Sequence, residues 1–211
     1  MADLQTDDEK VEAIKKWWKD NGTSVIAGVA IGLGSVFGWR AWVNHESSVS
    51  QQASIAFEQV LASASGGAKE SAEKQAEILV DEFSGTPYAM FADLAIAKVR
   101  VGDGDMAGAA AALESAIARA PEPGLAKLAK LRLARVLVDS GESAKAADLI
   151  DAQDGEGAFA ADFAALRGDI AAAAGQFETA RTAYREAIDG GAGNARLLEL
   201  KLQDLPAGDA S

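Results

Sequence analysis

The side chains suited to chemistry in this 211-residue chain are few and dispersed. His45 is the only histidine and there is no cysteine. Histidine-centred nucleophilic triads, paired-histidine metal sites and thiolate chemistry therefore lack their residues. Asp103 and Asp105 flank Gly104 as at the start of a calcium loop, but the rest of that loop, with its closing bidentate Glu, is missing. They read as turn residues, and His45 as a residue just outside an apolar run. Gly190-Gly-Ala-Gly193 is not followed by the Lys-Ser/Thr of a phosphate loop. Acidic pairs abound, yet nothing sets one apart from an ordinary solvated helix face. No catalytic, cofactor-binding or metal-ligating residue is expected. What remains are candidates for binding: Arg132 and Arg135, three apart, either face a groove or pair with nearby acids, and Tyr184 is the aromatic candidate for the same groove.

Charge narrows the partners. The formal net charge is −12, and beyond Val43 there are 15 Lys and Arg against 26 Asp and Glu, leaving −11. Nucleic acid and anionic lipid are poor main partners for such a surface. Without cysteine, the part beyond Val43 must hold together by packing alone. Its roughly 168 residues suffice for one domain with a sizeable core.

The element that positions everything else is Thr23 to Val43, TSVIAGVAIGLGSVFGWRAWV. No charge occurs from Thr23 to Trp39. At ~1.5 Å per residue, about 20 residues cross the ~30 Å hydrocarbon core of a bilayer. A cleaved signal peptide is disfavoured, because more than twenty mixed-charge residues precede the run and Trp39-Arg-Ala-Trp42 follows it. A buried core helix is disfavoured by length. Trp17 and Trp18 before the run, and Trp39 and Trp42 at its end, suit the two interfacial belts. Lys10, Lys15, Lys16 and Lys19 lie on the N-terminal side, whereas only Arg40 appears on the other before Lys69. That bias predicts a cytoplasmic N-terminus and a bulk on the far side, the periplasm of a bacterial inner membrane. Gly28 and Gly32 form one G-x-x-x-G, and Gly34 and Gly38 another, so small faces for helix packing in lipid are expected at these four positions.

Residues 1–22 are expected to be a cytoplasmic segment. Thr6 to Glu9 has capping-box spacing, and Val11, Ile14 and Trp18 recur at helical spacing opposite the lysines, fitting a short helix on an anionic leaflet. Asn21-Gly22 is expected to break it.

Residues 44–205 read as one all-α domain, with 206–211 a tail. Residues 51–64 form a helix with Ile55, Val60 and Leu61 apolar, stopped by Gly66-Gly67. A second covers 68–83, with Ala72, Ala76, Leu79, Val80 and Phe83 inward, and Pro87 opens the next. From Tyr88 the pattern repeats. Gly104 to Gly141 is 37 residues and Gly141 to Gly175 is 34, near the ~34-residue tetratricopeptide period. Ala109, Ala146 and Ala180 each follow their glycine by five, with Ala116 and Ala187 further along. The expected architecture is a membrane helix followed by a tetratricopeptide-like solenoid of helical hairpins, capped by a short helix over Leu197–Leu205.

These residues resemble a known family. Asn21-Gly22 ahead of a glycine-rich span ending Gly38-Trp39-Arg40 and Trp42, Leu131-Arg-Leu-Ala-Arg135, Gly155-Glu-Gly157, Leu166-Arg-Gly168, Ala180-Arg181 and Tyr184 occur in an order and spacing similar to the YfgM family, ancillary subunits of the SecYEG translocon, over nearly the full length. The resemblance implies a single-pass inner-membrane protein with a cytoplasmic N-terminus and a periplasmic repeat domain. It implies as partners the SecYEG translocon, a PpiD-like periplasmic chaperone and exported client polypeptides; an enzyme is disfavoured separately, by residue content. A tetratricopeptide scaffold for assembly of another cell-envelope complex is the alternative reading.

Overall fold

A computed structural model describes residues 2–150 and 157–206, with side chains from Glu9 onward. Every regular element among the described residues is helical: α1 (Ala2–Ser65), α2 (Lys69–Glu82), α3 (Pro87–Gly102), α4 (Met106–Arg119), α5 (Pro123–Asp139), α6 (Ser143–Leu149), α7 (Ala160–Ala173), α8 (Phe177–Asp189) and α9 (Ala195–Asp204). The chain forms two compact units, Met1–Val49 and Ser50–Ser211.

The first unit is a stretch of α1. Helix runs through Asn21-Gly22, where the sequence predicts a break. Two local contacts explain the difference. The Asn21 side-chain amide donates to the Trp17 carbonyl at 3.0 Å, so it no longer competes for its own backbone. The Trp18 indole lies against Gly22, where an added Cβ would sit 3.3 Å from the ring. The helix also starts at Ala2, ahead of Thr6, so the expected capping box lies inside it. In the apolar run, Ser35 satisfies its hydroxyl by donating to the Ile31 carbonyl at 2.8 Å, which an apolar surrounding requires. Among the described residues this is the one helix long and apolar enough to cross a membrane, and only 6% of its apolar window is buried.

The second unit is built from hairpins closed by one recurring turn. Gly67, Gly104, Gly141, Gly175 and Gly191 all have φ between +73° and +82°, a conformation that disfavours any side chain. In each, the next residue's N–H reaches five residues back: Ala68 to Ser63, Asp105 to Arg100, Glu142 to Leu137, Gln176 to Ala171 and Ala192 to Ala187, at 2.7–2.9 Å. This is the Schellman closure, which satisfies carbonyls at a helix end while reversing the chain. Gly67 stands 37 residues before Gly104, and Ala72 follows it by five. Hence the end of α1 with α2 is itself a first hairpin. Pairs α3/α4, α5/α6 and α7/α8 follow, and α9 closes the array.

Small residues let the hairpins approach. Ala72, Ala109, Ala116, Ala146, Ala180 and Ala187 are all 0% exposed. Larger groups fill the space between hairpins: Leu79, Met90 and Leu113 in the first half, Phe163, Leu166 and Leu131 where α5, α6 and α7 meet, and Tyr184 with Leu198 under the last helix. Phe57 on α1 stacks with Tyr88 and Phe91 on α3, ring centroids 5.9 and 6.0 Å away, which ties the first hairpin to the second. Val60 is buried as expected, but Ile55 and Leu61 are 53% and 44% exposed. Leu61 instead lines a cleft that the end of α1 shares with α3. Gly155-Glu156 of the Gly155–Gly157 signature lies outside the described residues, as does 207–211 of the tail.

Candidate functional site

Two places could engage a partner: the bare apolar helix in the first unit and the face formed by the first helices of the hairpins in the second. On the apolar helix, Ile31, Phe37, Trp39 and Trp42 are each at least 65% exposed. A Cβ added at Gly28, Gly32, Gly34 or Gly38 would meet nothing within 4 Å, so these positions are open notches between larger side chains.

In the second unit, α3 is flanked by two clefts. One, of about 390 Å³, lies toward the end of α1 and includes Leu61, Ala95 and Lys98. The other, of about 430 Å³, lies toward α5, with Leu94, Ala97, Val101 and Val136 as apolar lining and Lys98, Arg132, Arg135 and Asp139 as charged lining. Lys98 belongs to both. These side chains converge because Leu94, Lys98 and Val101 fall on one stripe of α3, at i, i+4 and i+7, and Arg132, Val136 and Asp139 repeat that spacing on α5.

The three groove candidates separate here. Arg132 and Arg135 do share a cleft. Arg135 also donates to Asp162 on α7 at 3.0 Å, so both readings of this arginine, groove and ion pair, hold at once. Tyr184 is not a groove residue. It is 2% exposed, its ring lies over Gly168, and its hydroxyl donates to Asp169 at 2.7 Å. Lys201 on α9 donates to the same carboxylate oxygen at 2.6 Å. Burial, then the Asp169 carboxylate, push the Tyr184 hydroxyl well above its ordinary pKa, so it stays a donor. Tyr184 is thus the pin between α7, α8 and α9. An aromatic in a repeat motif serves core and groove equally well on paper, and only the neighbouring glycine at 168 hints at the former. Lys98 and Val101 escaped the sequence reading, although their i, i+3 spacing on an otherwise alanine-rich helix carried the signal.

Several other charged groups have structural work. Asp105 caps α4 by accepting from the Gly108 amide at 2.9 Å, and Asp103 pairs with Lys69 at 2.8 Å. Arg100 crosses three helices, donating to Glu73 at 2.9 Å and to the Gly108 carbonyl at 3.0 Å. Asp93 accepts from Ser115 at 2.7 Å and faces Arg119 at 3.4 Å; burial raises its pKa despite both. His45 is exposed, and the described residues include no cluster of three His, Cys, Asp or Glu able to hold a metal ion.

Residues 15–207 match the model of the tetratricopeptide repeat-like domain family. The chain is 30% identical over 207 residues to the ancillary SecYEG translocon subunit of Escherichia coli strain K12, covering 97% of this chain and 99% of that one. Proteins of the same name from Haemophilus influenzae and Aggregatibacter actinomycetemcomitans are 31% and 32% identical over 206 residues, covering 97% of this chain and all of theirs. The chain belongs to the YfgM family of ancillary SecYEG translocon subunits.

The YfgM-family resemblance rests on packing positions more than on reactive ones. Leu131 and Leu166 are 2% and 1% exposed, Ala180 is 0%, and Gly168 exists to admit Tyr184. Arg181 donates to the Leu205 and Pro206 carbonyls, holding the end of α9. Of the matched residues, Arg132 alone combines exposure, a cleft and no ion-pair partner among the described residues.

Proposed function

We propose that this chain is a membrane-anchored, non-catalytic ancillary subunit of the SecYEG translocon, with its N-terminus in the cytoplasm and its repeat domain in the periplasm. The carrying observation is end-to-end collinearity with three proteins bearing that name, including the apolar segment as well as the repeats. Gly28, Gly32, Gly34 and Gly38 let helices of the translocon approach the span closely. The repeat domain then stands at the exit, where the face of its first helices holds a PpiD-like chaperone or an emerging exported chain; stacked repeats suit extended polypeptides.

Two measurements test this. Photo-crosslinking probes at Gly28 and Gly34, in native membranes with a stalled secretory chain, are expected to reach translocon subunits, and a probe at Arg132 to reach the chaperone or the stalled chain. Crosslinks only to itself or to an unrelated envelope complex would sink the translocon reading. For orientation, alkaline phosphatase fused after Ser211 is expected to be active, because the lysine bias retains the N-terminus inside. An inactive phosphatase beside an active cytoplasmic reporter at the same site would reverse the topology.

A further inference from the structure

The face of the first helices departs from the charge of the domain that carries it. Residues after Val43 sum to −11. A second cleft, between α4 and α6, follows that trend, with Glu114, Glu142 and Asp148 against Lys145. The cleft between α3 and α5 reverses it, with Lys98 and Arg132 against Asp139, beside an Arg135 that is already paired with Asp162. Several basic groups elsewhere in the repeats are matched, Arg100 with Glu73, Arg119 with Asp93, Arg167 with Glu186 and Lys201 with Asp169, while Lys74, Arg185 and Arg196 are exposed but line neither this cleft nor the one between α4 and α6. Lys98 and Arg132 are exposed and have no acidic partner among the described residues, despite 26 acids in this part of the chain. Between them the floor is apolar, with Ala97 and Val136 at 3% and 7% exposure and Val101 at 37%.

We propose that this cleft receives an acidic segment of a partner polypeptide, its carboxylates meeting Lys98 and Arg132 and an apolar side chain entering over Val101 and Val136. The inference rests on reading the repeat domain as a polypeptide-binding surface, and it adds the chemistry of the occupant. A cation beside an apolar floor selects both sign and spacing, whereas an apolar floor alone would accept any greasy segment. The acidic surface elsewhere on the domain disfavours acidic chains, whereas this cleft joins two cations to an apolar floor.

The test uses the full chain in nanodiscs of phosphatidylcholine and two labelled peptides, one repeating Glu-Leu-Asp and one repeating Lys-Leu-Arg, read by fluorescence anisotropy. The acidic peptide is expected to bind at low salt and the basic one not. Affinity should fall about tenfold both in Lys98→Glu/Arg132→Glu and on raising salt to about 0.5 M, while Lys74→Glu on α2 leaves it unchanged. Equal binding of both peptides, or unaltered binding in the double variant, would overturn the assignment. So would self-association of the wild-type chain that the double variant abolishes, since that would give the cleft to the acidic face of a second copy. A photo-probe at Val101 separates the two levels. If it captures exported polypeptides in cells while the peptides are not discriminated, polypeptide binding stands and the acidic preference falls. If the acidic peptide binds as expected and the span never crosslinks to the translocon, the preference stands and the translocon assignment falls.

Discussion

Phe163→Ala is expected to cost about 3–5 kcal/mol, the range for emptying a fully buried aromatic site, and to make unfolding proceed in two steps. Phe163 is 0% exposed and lies in the cluster with Leu131, Ala134, Ala146 and Leu166. It matters there because α6, the second helix of its hairpin, has only seven residues. A helix that short covers little of its neighbours, and the ring reaching in from α7 fills the gap. The other large side chains fully buried in this cluster are Leu131 and Leu166, with Leu149, Phe159 and Ile170 partly buried against it. In a stack where each unit touches only its neighbours, stability is a sum of unit and interface contributions, so weakening one interface uncouples what lies beyond it. Hydrogen exchange should show amides of α7, α8 and α9 losing protection in the variant at denaturant concentrations where α3 and α4 remain protected. A single transition with uniform loss of protection would mean that the α5–α7 junction is not the weak link.

Gly168→Ala is expected to destabilise the last hairpin by about 1–3 kcal/mol through overpacking, although alanine normally improves a helix interior by about 1 kcal/mol. Space decides the sign. The new Cβ would lie 2.4 Å from both Cδ1 and Cε1 of Tyr184. The ring cannot simply swing aside, because it is buried and its hydroxyl is held by Asp169. Thermal unfolding followed by the helical circular dichroism signal should fall by several degrees, at about 2–4 °C per kcal/mol for a domain of this size. Adding Tyr184→Leu should return part of the loss, giving a coupling between the two sites in a double-mutant cycle. A single variant that melts at or above the parent would contradict the close contact. The same substitution at Gly28 or Gly32 meets open space and should leave the repeat domain's melting unchanged.

Much of the architecture could be read from residue order. The apolar run is a property of composition and length, so Thr23–Val43 announces itself without any tertiary contact. The repeat domain was legible because its turns are local: a glycine that must take positive φ, followed five residues on by an alanine that must be small, marks each hairpin wherever it lies. The same rule applied to Gly67 and Ala72 identifies the first hairpin, which lies before the repeat that starts at Tyr88 and reads from the sequence as two separate helices. Asn21-Gly22 misled for a related reason. The dipeptide favours a turn in isolation, but the Asn21 amide finds the Trp17 carbonyl and the Trp18 ring covers Gly22, so helix continues.

The candidate site divides along the same line. Arg132 and Arg135 were visible as a pair on α5, and their spacing alone places them near one another. That Lys98 and Val101, more than thirty residues earlier, complete the same cleft is a consequence of how α3 packs beside α5. Tyr184 went the other way, from groove candidate to core pin, because the notch that receives it is made by Gly168 on a different helix. Sequence by itself determined the segments, their turns, the apolar run and the net charge, all of which depend on residues close in the chain. Tertiary structure alone decided which charges are left without a partner and which aromatic is buried, because both depend on what another helix brings within a few ångströms.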